Sequence, residues 1–228
     1  MNSVAKKEVE IIRSLPLFQV LSEEELERLA AMTEMRVIPK QSHIYCMGDS
    51  SDKLFILTKG VVKIGTESDE DREVIKQILH PVAVFGELGL VGEQERQDFA
   101  VAMNEEVHLL CLPVDQFQEF MLHNHQLSIQ LLQWIGTRLR RTETRLESLI
   151  FKDARERIID FLKDSARKRG KRIGYETLIR HSLTQQDIAN ITGTSRQTVT
   201  SVLNDLRKSN LIYFNRRSIL IRDMTKLS

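Results

Sequence analysis

Two stretches of this chain carry residue types whose spacing could do chemistry. The first, from Phe85 to Arg96, reads FGELGLVGEQER. Gly86 and Gly89 bracket Glu87 and let the backbone bend sharply or approach a ligand, exposing amide N–H groups able to cradle an anion. Arg96 carries a planar fork that can bond two phosphate oxygens at once. Glu87 can only accept, which suits a sugar hydroxyl. Together these types fit a phosphorylated sugar. The alternative on residue types alone is a Gly-rich structural turn closed by a Glu87–Arg96 salt bridge.

The second stretch, from Leu183 to Leu206, reads LTQQDIANITGTSRQTVTSVLNDL. Thr184 with Asp187 three residues on forms a helix start, and Ile188, Ala189 and Ile191 supply an apolar stripe. Gly193 supplies a turn. Ser195 then caps a second helix with buried positions at Val199, Val202, Leu203 and Leu206. Arg196, Gln197, Thr200 and Ser201 face outward at its N-terminal end, with Thr184 and Gln185 beside them at the start of the first helix. This is the layout of a helix-turn-helix, whose second helix meets base edges in the major groove of DNA.

The elements around these stretches follow from charge and periodicity. Net charge over 228 residues is +1, but it is unevenly divided: residues 153–228 hold 16 Lys and Arg against 8 Asp and Glu, residues 1–152 hold 17 against 24. The basic charge therefore sits with the helix-turn-helix, where a polyanion would be held. No run of 18 apolar residues and no signal-peptide core occurs, so a chain without membrane contact, in the cytoplasm, is expected. The only cysteines, Cys46 and Cys111, both lie in apolar strand-like surroundings, and they read as small core residues. They make neither a disulfide framework nor a metal cluster.

Residues 8–35 read as short helices, with Ser22 opening one of them. From Val37 to Val114, short apolar runs (HIYCM, KLFILT, VVKIG, EVIKQIL, AVFGELGLV, VHLLCLP) alternate with Gly, Asp and Pro, predicting an antiparallel barrel or sandwich. Helical periodicity resumes to Phe151, with His123 and His125 at the start of a long helix. Within it Leu132, Ile135, Leu139, Thr142, Leu146 and Leu149 recur at alternating spacings of 3 and 4, a heptad seam flanked by charge that suits pairing with a second copy. Asp153 with Glu156 restarts a helix that ends at Gly170, and a loop rich in Lys, Arg and Gly follows. Leu211 to Ile221 reads as a hairpin, a wing with Arg216 and Arg217 at its tip.

The order GDSSDKLFILTKGVVKI, FGELGLVGEQER, the heptad helix, FKDARERI and SRQTV resembles the Crp/Fnr family of bacterial transcription regulators over nearly the whole chain. The resemblance implies an α+β chain in three parts. These are a double-stranded, jelly-roll-like β-roll over 1–126, a dimerisation helix over 127–152 and a winged helix-turn-helix over 153–228. It also implies a homodimer on inverted-repeat DNA, contact with RNA polymerase and no catalytic activity; no nucleophile with a base and no metal-ligand spacing points to an enzyme.

In cyclic-AMP-responsive members the glutamate of GEL holds a ribose hydroxyl, matched by Glu87, and a following arginine holds the phosphate, matched by Arg96. Gly86, Leu88, Gln97, Thr142 and Glu143 match the rest of that pocket. Gln97 replaces a phosphate-binding hydroxyl, Asp98 follows it, and Glu143 stands where a serine meets adenine. The run before Arg96 is one residue shorter than in the cyclic-AMP receptor. A cyclic nucleotide or related phosphorylated effector is the expectation, with cyclic AMP itself disfavoured because extra carboxylates crowd an anion. The N-terminus lacks the cysteines of iron–sulfur members, so no such cluster is expected. A haem- or redox-sensing roll, an effector-independent roll and a nucleotide-binding module acting on a protein partner are the alternatives. In the recognition helix Arg196 matches the arginine that reads guanine, while Gln197 stands where Glu is common and suits adenine.

Overall fold

The computed structural model describes residues 3–68, 72–103 and 105–227. The chain forms two compact units, one made by residues up to Arg140, the other by Arg141 onward together with Glu73–Ile75.

In the first unit, helices α1 (Ser3–Ser14) and α2 (Glu23–Ala31) precede eight strands. Ser22 starts α2 with a reciprocal cap: its hydroxyl accepts from the Glu25 amide, and the Glu25 carboxylate accepts from the Ser22 amide. Strands β1 (Glu34–Ile38), β2 (His43–Tyr45), β3 (Lys53–Lys59), β4 (Val62–Glu67), β5 (Glu73–Leu79), β6 (Ala83–Phe85), β7 (Phe99–Ala102) and β8 (Val107–Pro113) form two four-stranded sheets, ordered β1-β8-β3-β6 and β2-β7-β4-β5. Leu57, Phe85, Leu109 and Cys111 from the first sheet share one core with Tyr45, Val62, Ile64 and Ala100 from the second. A further core under α1, α2 and α3 (Val114–Leu122) gathers Ile12, Phe18, Leu29, Leu54, Leu110, Phe117 and the start of α4 (His125–Phe151).

Several expectations need correction here. The AVFGELGLV run is not one strand: β6 ends at Phe85, and Gly86 at φ 79° turns the chain into a 3-10 segment over Glu87–Val91. β1 lies partly inside the region read as helical, and β7 was not among the predicted runs. His123 is the C-cap of α3, not the start of the long helix. Cys46 is exposed while Cys111 is buried, so only the latter is a core residue.

In the second unit, α5 (Ala154–Arg169) is capped by Asp153 and Glu156 in the same reciprocal fashion. It packs on α6 (Gln185–Thr192) and α7 (Arg196–Lys208) around Ile158, Leu162, Ile188, Val199, Leu203 and Leu206. The wing is larger than the predicted hairpin. The stretch read as a basic loop forms β9 (Lys171–Ile173) and β10 (Glu176–Arg180), which join β11 (Ile212–Phe214) and β12 (Ser218–Ile221) in the order β11-β12-β10-β9. The pairing partner is distant in sequence, so local composition did not reveal it. Among the described residues no helix is long and apolar enough to cross a membrane.

Candidate ligand site and nucleic-acid interface

In the roll, Gly86, Glu87 and Arg96 come together, but the Glu87 carboxylate and both terminal nitrogens of Arg96 are already engaged by the protein. The Arg96 side chain is 2 % exposed. Its Nη1 donates to the Gly86 carbonyl at 3.0 Å and its Nη2 to the Lys53 carbonyl, while Nε is buried without a hydrogen-bond partner. Its guanidinium lies 4.6 Å from the Tyr45 ring centroid and 5.7 Å from that of Phe55, a cation held against aromatic faces. The fork suggested for a phosphate is thus turned onto main-chain carbonyls.

Glu87 is buried and forms an ion pair with Arg138 of α4, not with Arg96; the carboxylate nearest Arg96 is that of Glu93, 3.9 Å away. Burial pushes the Glu87 carboxyl above its ordinary pKa, and the Arg138 guanidinium pulls it part of the way back. Arg138 in turn stacks 5.0 Å from the Trp134 ring centroid. Arg138 was visible in the sequence only as one charge flanking the heptad seam, and nothing local linked it to a glutamate 51 positions earlier.

Of the remaining effector candidates, Leu88 and Gln97 lie in the first unit and Thr142 and Glu143 in the second. Gln97 is exposed, with Nε2 donating to the Glu95 carbonyl at 3.1 Å, and Leu88 faces outward. Thr142 and Glu143 are exposed on the stretch of α4 that belongs to the second unit. Asp98 accepts from the Tyr45 hydroxyl at 3.2 Å and from Lys76 Nζ at 3.1 Å, which offsets its charge. Gly89 has no spare room: a Cβ there would lie 2.1 Å from the Ser51 carbonyl oxygen. Burial pushes the Cys111 thiol up to about 11, the opposite of a reactive thiolate. Among the described residues no group of three His, Cys, Asp or Glu side chains could hold a metal ion.

The helix pair is built by its caps. Thr184 and Asp187 cap α6 reciprocally, Gly193 at φ 64° ends it, and the Ser195 hydroxyl accepts from the Thr198 amide at 3.0 Å to start α7. Thr184 and Ser195 thereby act through the backbone. The Thr200 hydroxyl donates to Gln185 Oε1 at 2.7 Å and ties α7 to α6. That leaves Arg196, Gln197 and Ser201 as the exposed side chains of the first turns of α7. At the wing tip, Asn215 Oδ1 accepts from the amides of Arg217 and Ser218, both at 2.9 Å, a turn that leaves Arg216 and Arg217 exposed. Arg180 of β10, in register with Ser218, lines the same shallow depression as Arg216 and Arg217. Sequence reasoning missed it, although the alternation of buried Thr177 and Ile179 puts Arg180 on the outward side.

The heptad positions divide. Ile135 is half-buried against the first unit's own core, whereas Leu132, Leu139 and Leu146 are 69 %, 58 % and 58 % exposed, and Leu149 is also exposed. A row of exposed leucines along one helix is an apolar strip that water covers poorly.

Comparison with known proteins gives concordant matches. The cyclic nucleotide-binding domain family matches residues 35–124, and the Crp-like helix-turn-helix domain family matches residues 156–228. The chain is 30 % identical over 219 residues to the CRP-like cAMP-activated global transcriptional regulator of Mycobacterium tuberculosis, covering 96 % of this chain and 97 % of that one. It is 32 % identical over 187 residues to the global nitrogen regulator of Synechocystis sp., covering 81 % and 83 %. A solved structure of a CooA mutant from Carboxydothermus hydrogenoformans superposes with a TM-score of 0.77 at 26 % identity, covering 96 % and 97 %.

Proposed function

Because the chain belongs to the Crp/Fnr family of transcription regulators, we propose that it works in the cytoplasm as a homodimer that reads an inverted-repeat DNA site and contacts RNA polymerase. The observation that carries the DNA-reading part is the capped helix pair with Arg196, Gln197 and Ser201 exposed on the first turns of α7. Arg196 reads a guanine through a bidentate contact and Gln197 an adjacent adenine. Arg216, Arg217 and Arg180 hold phosphates. Dimerisation runs through Leu132, Leu139, Thr142, Leu146 and Leu149, which two-fold symmetry would cover with their own copies.

The roll is proposed to take a phosphorylated effector at Gly86, Glu87 and Arg96. The geometry makes this a competition: the ligand has to draw Arg96 off the Gly86 and Lys53 carbonyls and take Glu87 from Arg138. Since Arg138 lies on α4, that exchange would be felt along the dimer seam, the two-state element an effector could bias. Cyclic AMP is not the strong switch in this reading, because Gln97 offers no phosphate-binding hydroxyl. A gel shift on a selected inverted repeat, with and without cyclic AMP, and calorimetry with the same ligand test both parts. Equal affinity for the repeat and for random duplex would refute the DNA-reading function. Micromolar cyclic AMP binding with a large gain in DNA affinity would refute the effector reading.

A further inference from the structure

α6 is short, and the carbonyls of its last turn need partners from outside the helix. The Gly193 amide closes on the Ala189 carbonyl. The carbonyls of Ile191, Thr192 and Gly193 are taken by two arginines of the same unit. Arg145 Nη2, from α4, donates to the Ile191 carbonyl at 2.6 Å. Arg157, from α5, donates from Nε to the Thr192 carbonyl at 2.8 Å and from Nη2 to the Gly193 carbonyl at 3.0 Å. Its remaining nitrogen, Nη1, donates to the Lys152 carbonyl at 2.7 Å, at the junction where α4 ends and the Asp153 cap begins. Leu149 of α4 packs on the same turn: a Cβ added at Gly193 would lie 2.9 Å from Leu149 Cδ2. Cations at a helix C-terminus also complement its dipole. The end of α6 is therefore gripped by directional bonds from α4 and α5, not only by apolar packing that can slide.

We propose that Arg145 and Arg157 are positioning residues for DNA reading: they lock the helix pair to the end of α4, so that the course of α4 fixes where α7 points. This rests on the homodimeric reading above. In a dimer the paired α4 helices hold two recognition helices about one turn of DNA apart, so a stiff link makes binding sensitive to the spacing of the half-sites. Neither arginine has to touch DNA. Their signature is spacing tolerance, which a residue needed only for folding would leave unchanged.

The test uses the full chain as wild type, Arg157→Lys and Arg145→Met, on an inverted repeat selected with the wild type. Anisotropy is read on that repeat, on versions with one or two base pairs inserted at its centre, on a single half-site and on random duplex. Lysine keeps the charge of Arg157 but cannot bond three carbonyls in a planar fork. Arg157→Lys is expected to lose about tenfold on the native spacing, the scale of one charge-assisted hydrogen bond. Half-site and random affinities stay within about twofold, and the inserted spacings bind nearly as well as the native one. Arg145→Met changes in the same direction. Variants that keep the wild-type spacing preference, or that lose equally on half-site and random DNA, would overturn the proposal. A wild type that sediments as a monomer overturns the dimeric reading together with it, a result told apart from a dimeric wild type whose variants share its spacing preference.

Discussion

Removing Arg138 gives a loss whose size can be worked from the geometry. Arg138→Met leaves the Glu87 carboxyl, 5 % exposed, without its counter-charge. A buried carboxylate that loses its partner takes up a proton instead of staying charged. In the unfolded chain that carboxyl titrates near 4.5. Holding it neutral at pH 7 therefore costs at most about 3.4 kcal/mol, at about 1.36 kcal/mol per pH unit, and only about 0.7 kcal/mol at pH 5. The sign follows from linkage. A carboxyl with a raised folded pKa is relieved as pH falls toward its unfolded value, where both states carry the proton. Arg138→Met should thus lose about 2–3 kcal/mol at pH 7 and less than about 1 kcal/mol at pH 5, while Glu87→Gln with Arg138→Met recovers most of the loss. The assay is urea unfolding at several pH values followed by fluorescence of Trp134, the sole tryptophan, which packs against the first unit's core. A loss of the same size at pH 5 and pH 7 would refute the reasoning.

Four Leu-to-Glu changes across a dimer, from Leu139→Glu with Leu146→Glu, should give monomers in sedimentation and abolish operator binding; an intact dimer removes the seam from the interface. Arg196→Ala should cost about 1–3 kcal/mol on the selected site and relax one base pair, whereas Arg180→Ala or Arg216→Ala should weaken every sequence alike and lower the salt slope by about one. Equal losses for Arg196→Ala on specific and random duplex count against base reading. Burial lowers the pKa of His181 from its usual value near 6.5, so the stability of the second unit should decline as pH falls below that value, where the unfolded chain gains a proton first. His181→Gln should flatten that decline in acid titrations of thermal stability, and an unchanged pH profile would show that His181 is not its source.

What could be read in advance was local. The caps at Ser22, Asp153 and Thr184 each rest on a partner three residues away, and all three formed with both bonds in place. The turn at Gly193 and the tip at Asn215 were equally local. What escaped was decided by distant partners. β1 is a five-residue edge strand in which Met35 and Val37 alternate with Glu34 and Arg36 but stay exposed, too short a pattern to stand out directly after the helical run of α2. β9 and β10 look like a basic loop until β12 pairs with β10. At the candidate site the residue types of Gly86, Glu87 and Arg96 were informative about what they can bond. They could not reveal that the Lys53 carbonyl and Arg138 reach those groups first, because neither lies within thirty residues of its partner in the chain.

The grip on α6 has a consequence for anyone splicing this chain to another. The capped restart at Asp153 looks like the natural place to cut when grafting its DNA-reading half onto a foreign sensor. A cut there would leave Arg145 and Leu149 behind and strip the transplanted piece of the side chains that hold the end of its own helix. A graft that keeps this grip has to include α4 from Arg141 onward, where the second unit's share of that uninterrupted helix starts. Chimeras joined within α4 should keep their aim, and those joined at the visible hinge should inherit a recognition helix with no fixed bearing.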